Sequence, residues 1–135
     1  MSSNRSYQAL QLFSGFGDHE IDAFVNAAAR QSWPIDHVFF TMGSLNTSLF
    51  IICAGAVKVE RTGTDKDTLL THLEAGKTFG EMSVMDGSPT TGTVTTTEPT
   101  GVLKISRSSI DQLLDDNPDM GVKLWRNLAL DLKQR

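Results

Sequence analysis

The chain has 135 residues, 39% of them hydrophobic and 21% charged, which is typical of one globular domain. Its formal net charge of −4 argues against nonspecific nucleic-acid binding, because such binding needs a basic surface. No apolar run reaches the roughly 18 residues of a membrane span, and no signal-peptide core follows the N-terminus. The single cysteine, Cys53, excludes a disulfide framework, so we expect a cytoplasmic protein.

The first predicted element is an amphipathic helix over residues 19–30. Asp18 is a suitable N-cap for this helix. Apolar residues recur at helical spacing and would form its buried face: Ile21, Phe24, Val25 and Ala28.

From residue 33 onward, short apolar runs alternate with turn residues, which predicts β-strands. The predicted strands cover residues 37–40, 48–53, 56–61, 69–73, 90–97 and 101–105, with loops at 42–47 and 62–67. Regularly spaced short strands with glycine-rich corners are typical of a barrel or jelly roll. We therefore predict an α+β, mainly β fold whose barrel occupies about residues 31–106.

Two C-terminal helices are predicted, over about residues 107–116 and 118–135. Ser106, or Ser108 and Ser109, can cap the first, and Pro118 can end it and begin the second. The last helix carries a wide apolar stripe: Val122, Trp125, Ala129 and Leu132, with Leu124 and Leu128 beside it. Such a stripe covers the strands, or pairs with a second copy or a partner protein.

The most informative stretch covers residues 79–94. An aromatic residue and a glycine lead into a short helical turn, followed by a Gly- and Pro-containing loop and a Thr-rich strand. A glycine before a helical turn can aim several backbone N–H groups at one anion. The carboxylate of Glu81 beside these donors is better suited to accept hydrogen bonds from sugar hydroxyls.

This stretch resembles the phosphate-binding cassette of the cyclic-nucleotide-binding domain family, which reads roughly F-G-E-x-[SAG]-x-x-x-x-x-P-R-[STA]-[A]-x-V. The residues that match in register are Phe79, Gly80, Glu81, Ser83, Pro89, Thr91 and Val94. The resemblance covers about residues 10–132 and implies an antiparallel β-roll (a double-stranded β-helix or jelly roll) flanked by an N-terminal helix and C-terminal helices. It also implies one regulatory domain over residues 1–135, which is no enzyme and lacks the family's helix-turn-helix DNA-binding domain.

The resemblance implies a cyclic nucleotide, cAMP or cGMP, as the ligand. The residues it assigns to ligand binding are Gly80, Glu81, Met82, Ser83, Thr90, Thr91, Gly92, Val59 and Leu73. Among these, Glu81 would hold the ribose 2′-hydroxyl, and Thr91 would donate its hydroxyl and N–H to the phosphate. Val59 and Leu73, with Leu70, would form an apolar floor under the base or sugar.

Two cassette positions differ from the family pattern. Thr90 stands where the family has the arginine that meets the cyclic phosphate, and Gly92 stands where it usually has alanine. Threonine offers one neutral hydroxyl, whereas arginine offers a positively charged guanidinium with two parallel N–H donors. The affinity for a cyclic nucleotide is therefore expected to fall about 30-fold to several-thousand-fold. Lys77, Lys58 and Arg61 are the substitute cations that the sequence offers.

Three classes of function are therefore weighed. The first is a sensor of a cyclic nucleotide or another small ligand, whose occupancy repositions the last helix. The second is a degenerate domain that acts as a protein-interaction or dimerisation element without a nucleotide ligand. The third is an enzyme with a barrel active site, but no H-x-H pair occurs among the histidines, so neither a metal site nor catalysis is predicted.

Overall fold

The computed structural model describes residues 7, 9–63 and 68–133. Residues 64–67 of the predicted loop, and the last two of the predicted final helix, lie outside the described residues. The helices are α1 (Asp18–Ala27), α2 (Glu81–Asp86), α3 (Arg107–Asp116) and α4 (Pro118–Lys133). The strands are β1 (Ala29–Trp33), β2 (Val38–Phe40), β3 (Ser48–Ala54), β4 (Ala56–Thr62), β5 (Thr68–Glu74), β6 (Thr78–Phe79), β7 (Thr93–Thr96) and β8 (Thr100–Ser106).

The strands form two four-stranded antiparallel sheets, with orders β1-β8-β3-β6 and β2-β7-β4-β5. The predicted α+β, mainly β class and the antiparallel β-roll with flanking helices are confirmed. The expectation of a barrel is wrong, because no strand pairing among the described residues joins one sheet to the other. The two sheets face each other across an apolar core instead.

The core between the sheets is rich in phenylalanine. Its buried members are Phe50, Ile52, Val57, Leu73, Phe79, Val94 and Val102. The rings of Phe50 and Phe79 stack with their centroids 4.8 Å apart. This contact fixes Phe79, the first residue of the cassette, against β3.

A second core lies between the first sheet and the helices. Strand β3 contributes to both cores, so its run from Leu49 to Ile52 is buried on both faces. A strand covered on both faces reads as a continuous apolar run, and this explains why the sequence of β3 shows no polar alternation. None of the helices that the structure describes is long and apolar enough to cross a membrane.

Strand β1 is missing from the sequence prediction, which extends the first helix to residue 30. The helix ends at Ala27, and Ala29–Trp33 pair with β8 from Lys104 to Thr100. The side chains of β1 are exposed or half-buried and show no apolar alternation. Backbone pairing with β8, which a side-chain pattern does not reveal, makes this segment a strand.

The helix caps agree with the sequence at α3 and differ at α1. At α3, the hydroxyl of Ser106 accepts a hydrogen bond from the N–H of Ser109 at 3.1 Å, as predicted. At α1, the N-cap is Gly17 and not Asp18. The N–H of Gly17 donates to the carboxylate of Glu20 at 2.8 Å, so a side chain in the first turn of the helix caps the N-cap residue.

The buried face of α4 differs from the predicted apolar stripe. Val122 is 71% exposed and Ala129 is also exposed, so the stripe is wrong at these two positions. The buried residues are Met120, Leu124, Asn127, Leu128 and Asp131. Asn127 can be buried because its amide donates to the carbonyls of Leu12 at 2.7 Å and Ser14 at 2.9 Å. The core-facing side of α4 therefore includes buried polar residues with internal hydrogen-bond partners, and it differs from the stripe predicted from apolar residues alone.

Candidate functional site

The cassette begins at a glycine that the backbone requires. Gly80 has φ of 82° and connects β6 to α2. A Cβ at this position would lie 2.7 Å from the carbonyl oxygen of Ser48 and 2.8 Å from the amide nitrogen of Asn46. The amide of Asn46 also donates to Ser48 at 2.8 Å and holds β3 beside the turn. Both the left-handed backbone and the close approach therefore exclude a side chain at residue 80.

The side chains of the turn after Gly80 differ in exposure to solvent. Glu81 and Ser83 are buried, with 3% and 5% of their surfaces exposed, whereas Met82 is 40% exposed. At the end of α2, the hydroxyl and N–H of Ser88 donate to the carboxylate of Asp86 at 2.5 Å and 2.9 Å. These two hydrogen bonds lower the pKa of Asp86 below its usual value and shape the loop that leads to Thr90.

The two halves of the cassette border one cavity of about 270 Å³. Its lining comprises Phe40, Val59, Arg61, Phe79, Gly80, Glu81, Met82, Ser83, Thr90, Thr91, Gly92, Val94 and Leu132. Eight of the nine site residues expected from the sequence are in this set, and the ninth, Leu73, lines a neighbouring groove of about 160 Å³. Leu70 is 53% exposed and lines neither space, because it faces the opposite side of β5 from Leu73.

Thr90 serves as an anchor for the loop after β2. Its hydroxyl donates to the carbonyl of Thr41 at 2.6 Å and accepts from the N–H of Ser44 at 3.0 Å. Its own N–H and carbonyl bond to Ser44 at 2.9 Å and Gly43 at 2.8 Å. Only 6% of Thr90 is exposed. The residue that replaces the family arginine therefore uses its polar groups inside the protein.

Thr91 and Gly92 complete the second half of the cassette. Thr91 is exposed and lines the cavity. Gly92 is buried, and a Cβ there would lie 2.7 Å from Cγ1 of Val59 and 3.2 Å from Cγ of Arg61. The glycine permits close packing of the cassette on β4, which alanine would disturb.

The three candidate cations have different surroundings. Lys58 pairs with Glu60 at 3.2 Å, and Lys77 lies 4.0 Å from the carboxylate of Asp131. Neither lysine lines the cavity, whereas Arg61 does. Among the described residues, no group of three or more His, Cys, Asp or Glu side chains is arranged to hold a metal ion.

The cavity also includes residues that sequence reasoning did not assign to it. Phe40 comes from β2 and Leu132 comes from the end of α4. Beside Leu132, the buried carboxylate of Asp131 accepts a hydrogen bond from the hydroxyl of Thr78 at 2.8 Å, which ties α4 to β6. In the sequence, this contact is indicated only weakly, by a polar residue (Asp131) in the last turn of an apolar helix and a threonine (Thr78) just before the cassette.

Comparisons with known proteins show which family the chain resembles in sequence and fold. Residues 30–117 match the model of the cyclic nucleotide-binding domain family. The chain is 29% identical over 124 residues to a CRP-like cAMP-activated global transcriptional regulator of Mycobacterium tuberculosis, covering 91% of this chain and 55% of that protein. It is 27% identical over 124 residues to the potassium channel KAT1 of Arabidopsis thaliana, covering 92% of this chain and 18% of the channel.

Solved structures of cyclic nucleotide-binding proteins have the same fold as this chain. A cyclic nucleotide-binding domain from Methylobacillus flagellatus superposes with a TM-score of 0.87 at 27% identity, over 96% of this chain and 77% of that one. The catabolite activator protein of Thermus thermophilus gives a TM-score of 0.82 at 26% identity, over 92% of this chain and 59% of that one. This chain therefore belongs to the cyclic nucleotide-binding domain family. It spans about half the length of the bacterial regulators that it matches.

Proposed function

We propose that this chain is a regulatory module that binds a cyclic nucleotide, cAMP or cGMP, in the cassette cavity and performs no catalysis. The observation that carries the proposal is that one cavity is lined by both the buried Glu81, which bears a carboxylate, and the exposed Thr91, which bears a hydroxyl. The membership of the family supports it. The relatives named above include a regulator described as cAMP-activated.

The two polar groups fit different parts of a nucleotide. A carboxylate is a strong acceptor for sugar hydroxyls, and the buried position of Glu81 strengthens such hydrogen bonds. The hydroxyl of Thr91 can donate to a phosphate oxygen. Phe40 and Val59 provide apolar surface on another wall of the same cavity, where a base can pack.

The position of α4 links the cavity to the rest of the molecule. Leu132 lines the cavity and Asp131 is bonded to Thr78 at 2.8 Å, so a bound ligand would contact the helix end that is already tied to β6. A ligand that prefers one position of this helix shifts the population towards it. We therefore propose that α4 carries the output of the module.

The test is isothermal titration with cyclic AMP and its 2′-deoxy analogue. We expect the unaltered protein to bind cyclic AMP more tightly than the analogue, because Glu81 accepts from the 2′-hydroxyl. Glu81→Gln should lower the affinity for cyclic AMP about tenfold or more and remove the preference. The matched control is Glu74→Gln, an exposed carboxylate at the end of β5 that does not line the cavity.

Two results would contradict the proposal. One is the absence of binding heat for both cyclic AMP and cyclic GMP at millimolar concentration. The other is equal binding by the unaltered protein and Glu81→Gln.

A second candidate function is a protein-interaction or dimerisation element. The exposed Val122 and Ala129 on the outer face of α4 favour it, since they leave apolar surface uncovered within the described chain. Light scattering on the unaltered protein and on Val122→Glu tests it. A dimer that dissociates in the variant supports this function, and a monomer in both cases contradicts self-association through this face.

A further inference from the structure

The alternation of side chains along β4 turns Arg61 towards the cavity. Val57 is buried in the core between the sheets, and Val59 lines the cavity. Successive residues of a strand face opposite sides, so Arg61 shares the inner face with these two valines. Lys58 and Glu60 lie on the other face, where they form an ion pair at 3.2 Å. A charged residue therefore occupies the inner-face position at the rim of the site.

The pairing of β4 with β7 brings Arg61 next to the cassette. Val59 pairs with Val94 and Glu60 pairs with Thr93. Continuing this register by one residue places Arg61 opposite Gly92. The short distance agrees, because a Cβ at residue 92 would lie 3.2 Å from Cγ of Arg61. The stem of Arg61 thus occupies space that a glycine leaves open, directly after Thr91.

The other candidate cations, Lys77 and Lys58, lie beside carboxylates and do not line the cavity. Lys77 lies 4.0 Å from the carboxylate of Asp131, and Lys58 pairs with Glu60 on the opposite face of its strand. Thr90 uses its hydroxyl to hold Thr41 and Ser44. Within the part of the chain that the structure describes, the cationic side chain on the cavity wall is Arg61.

We propose that Arg61 meets the anionic phosphate of the ligand, in place of the arginine that the family carries at the position of Thr90. This inference rests on the proposed function, since it concerns the same cavity. A guanidinium offers two parallel N–H donors to phosphate oxygens, and Thr91 beside it adds a hydroxyl. The charge thus comes from β4, while the cassette contributes neutral donors. The site takes ligands with a phosphate or similar anion and disfavours the neutral nucleoside.

The test compares cyclic AMP with adenosine, its neutral counterpart, by isothermal titration. Arg61→Gln should weaken cyclic AMP binding about tenfold to hundredfold and leave adenosine binding within about twofold. Arg61→Lys should retain part of the cyclic AMP affinity, because it keeps the charge but loses the fork. The matched control Lys58→Gln, on the opposite face of the same strand, should bind both compounds as the unaltered protein does. Circular dichroism of each variant checks the fold, which should survive because Arg61 is exposed.

The outcomes separate this inference from the function on which it rests. If the unaltered protein binds cyclic AMP and Arg61→Gln binds it equally well, the role of Arg61 is overturned and the proposed function stands. If Arg61→Gln weakens cyclic AMP and adenosine to the same extent, Arg61 holds the base or sugar, and the assignment to the phosphate is overturned. If the unaltered protein binds no cyclic nucleotide, the proposed function fails and the inference fails with it.

Discussion

Two adjacent threonines have different surroundings and different expected roles. Thr90 is 6% exposed and its hydroxyl bonds inside the protein, whereas Thr91 is exposed at the cavity. The sequence predicts both as ligand-binding residues, because nothing in a Thr-Thr pair indicates which hydroxyl is used elsewhere. The partners of Thr90, at residues 41 and 44, are distant in sequence and become neighbours only in the folded chain.

We predict that Thr90→Val lowers the free energy of unfolding by about 1 to 2 kcal/mol, because the N–H of Ser44 loses a hydrogen-bond acceptor. Thr90→Ser, which keeps the hydroxyl, should lose less. Urea unfolding of the two variants measures the difference. Equal stability of Thr90→Val and the unaltered protein would show that the anchor contributes nothing. By the same reasoning, arginine at residue 90 should destabilise the loop and not simply restore a phosphate-binding group.

Cys53 provides a residue-scale prediction on pH. Burial raises the pKa of its thiol above the ordinary value, so the folded state keeps the proton to higher pH than the unfolded state. Above about pH 8.5 the unfolded chain binds fewer protons than the folded one, and the free energy of unfolding therefore falls as pH rises. Unfolding of Cys53→Ala, which has no thiol to titrate, should show a smaller decline between about pH 8 and 10. Parallel pH profiles would contradict this account.

At the scale of elements, the sequence predicts those strands and helices whose position is set by a pattern of apolar and turn residues. Six predicted strands correspond to β2, β3, β4, β5, β7 and β8, because their apolar runs and turn residues are distinct. β1 and β6 are missing from the sequence prediction, since backbone pairing with β8 and β3 defines them and no side-chain pattern does. The face of α4 is misjudged for a similar reason, because the buried Asn127 finds its partners in the segment before α1.

The contact between α1 and α4 gives a prediction at this scale. Burial alone would raise the pKa of Glu20, but hydrogen bonds from Gly17 and from Lys123, at 2.6 Å, lower it below the usual value. Glu20→Gln should therefore cost about 1 kcal/mol at pH 7. The stabilisation is present above the unfolded pKa, near 4.3, and is lost as pH falls through the lower folded pKa.

A double-mutant cycle measures this contact. Glu20→Gln, Lys123→Met and the double variant are compared by urea unfolding at pH 7 and at about pH 3. We expect a coupling energy at pH 7 that shrinks at the acidic pH. A coupling that is absent at pH 7, or unchanged at the lower pH, would contradict the role of the ion pair.

At the scale of the whole molecule, the site lies where the two sheets and the end of α4 meet. The cassette supplies Glu81 and Thr91, β4 supplies Arg61 and α4 supplies Leu132. The cassette is readable from the sequence because its residues are contiguous. The sequence also indicates Val59 and, as one of three candidate cations, Arg61 on β4. Which of these cations lines the cavity depends on strand register, and the contribution of α4 depends on helix rotation, and side-chain patterns alone determine neither. In the function proposed above, one bound ligand would contact both the sheet and the last helix.

The most direct test of this account is amide NMR of the labelled protein during titration with cyclic AMP. We predict that shift changes concentrate on residues 80–83, on Thr91 and Gly92, on the end of β4 at Arg61, and on the end of α4 at Leu132. The amides of β1, which pairs with β8 and contributes no residue to the cavity lining, should stay unchanged and serve as the internal control. An unperturbed cassette at millimolar cyclic AMP, or changes confined to the outer face of α4, would contradict the assignment of this cavity as the ligand site.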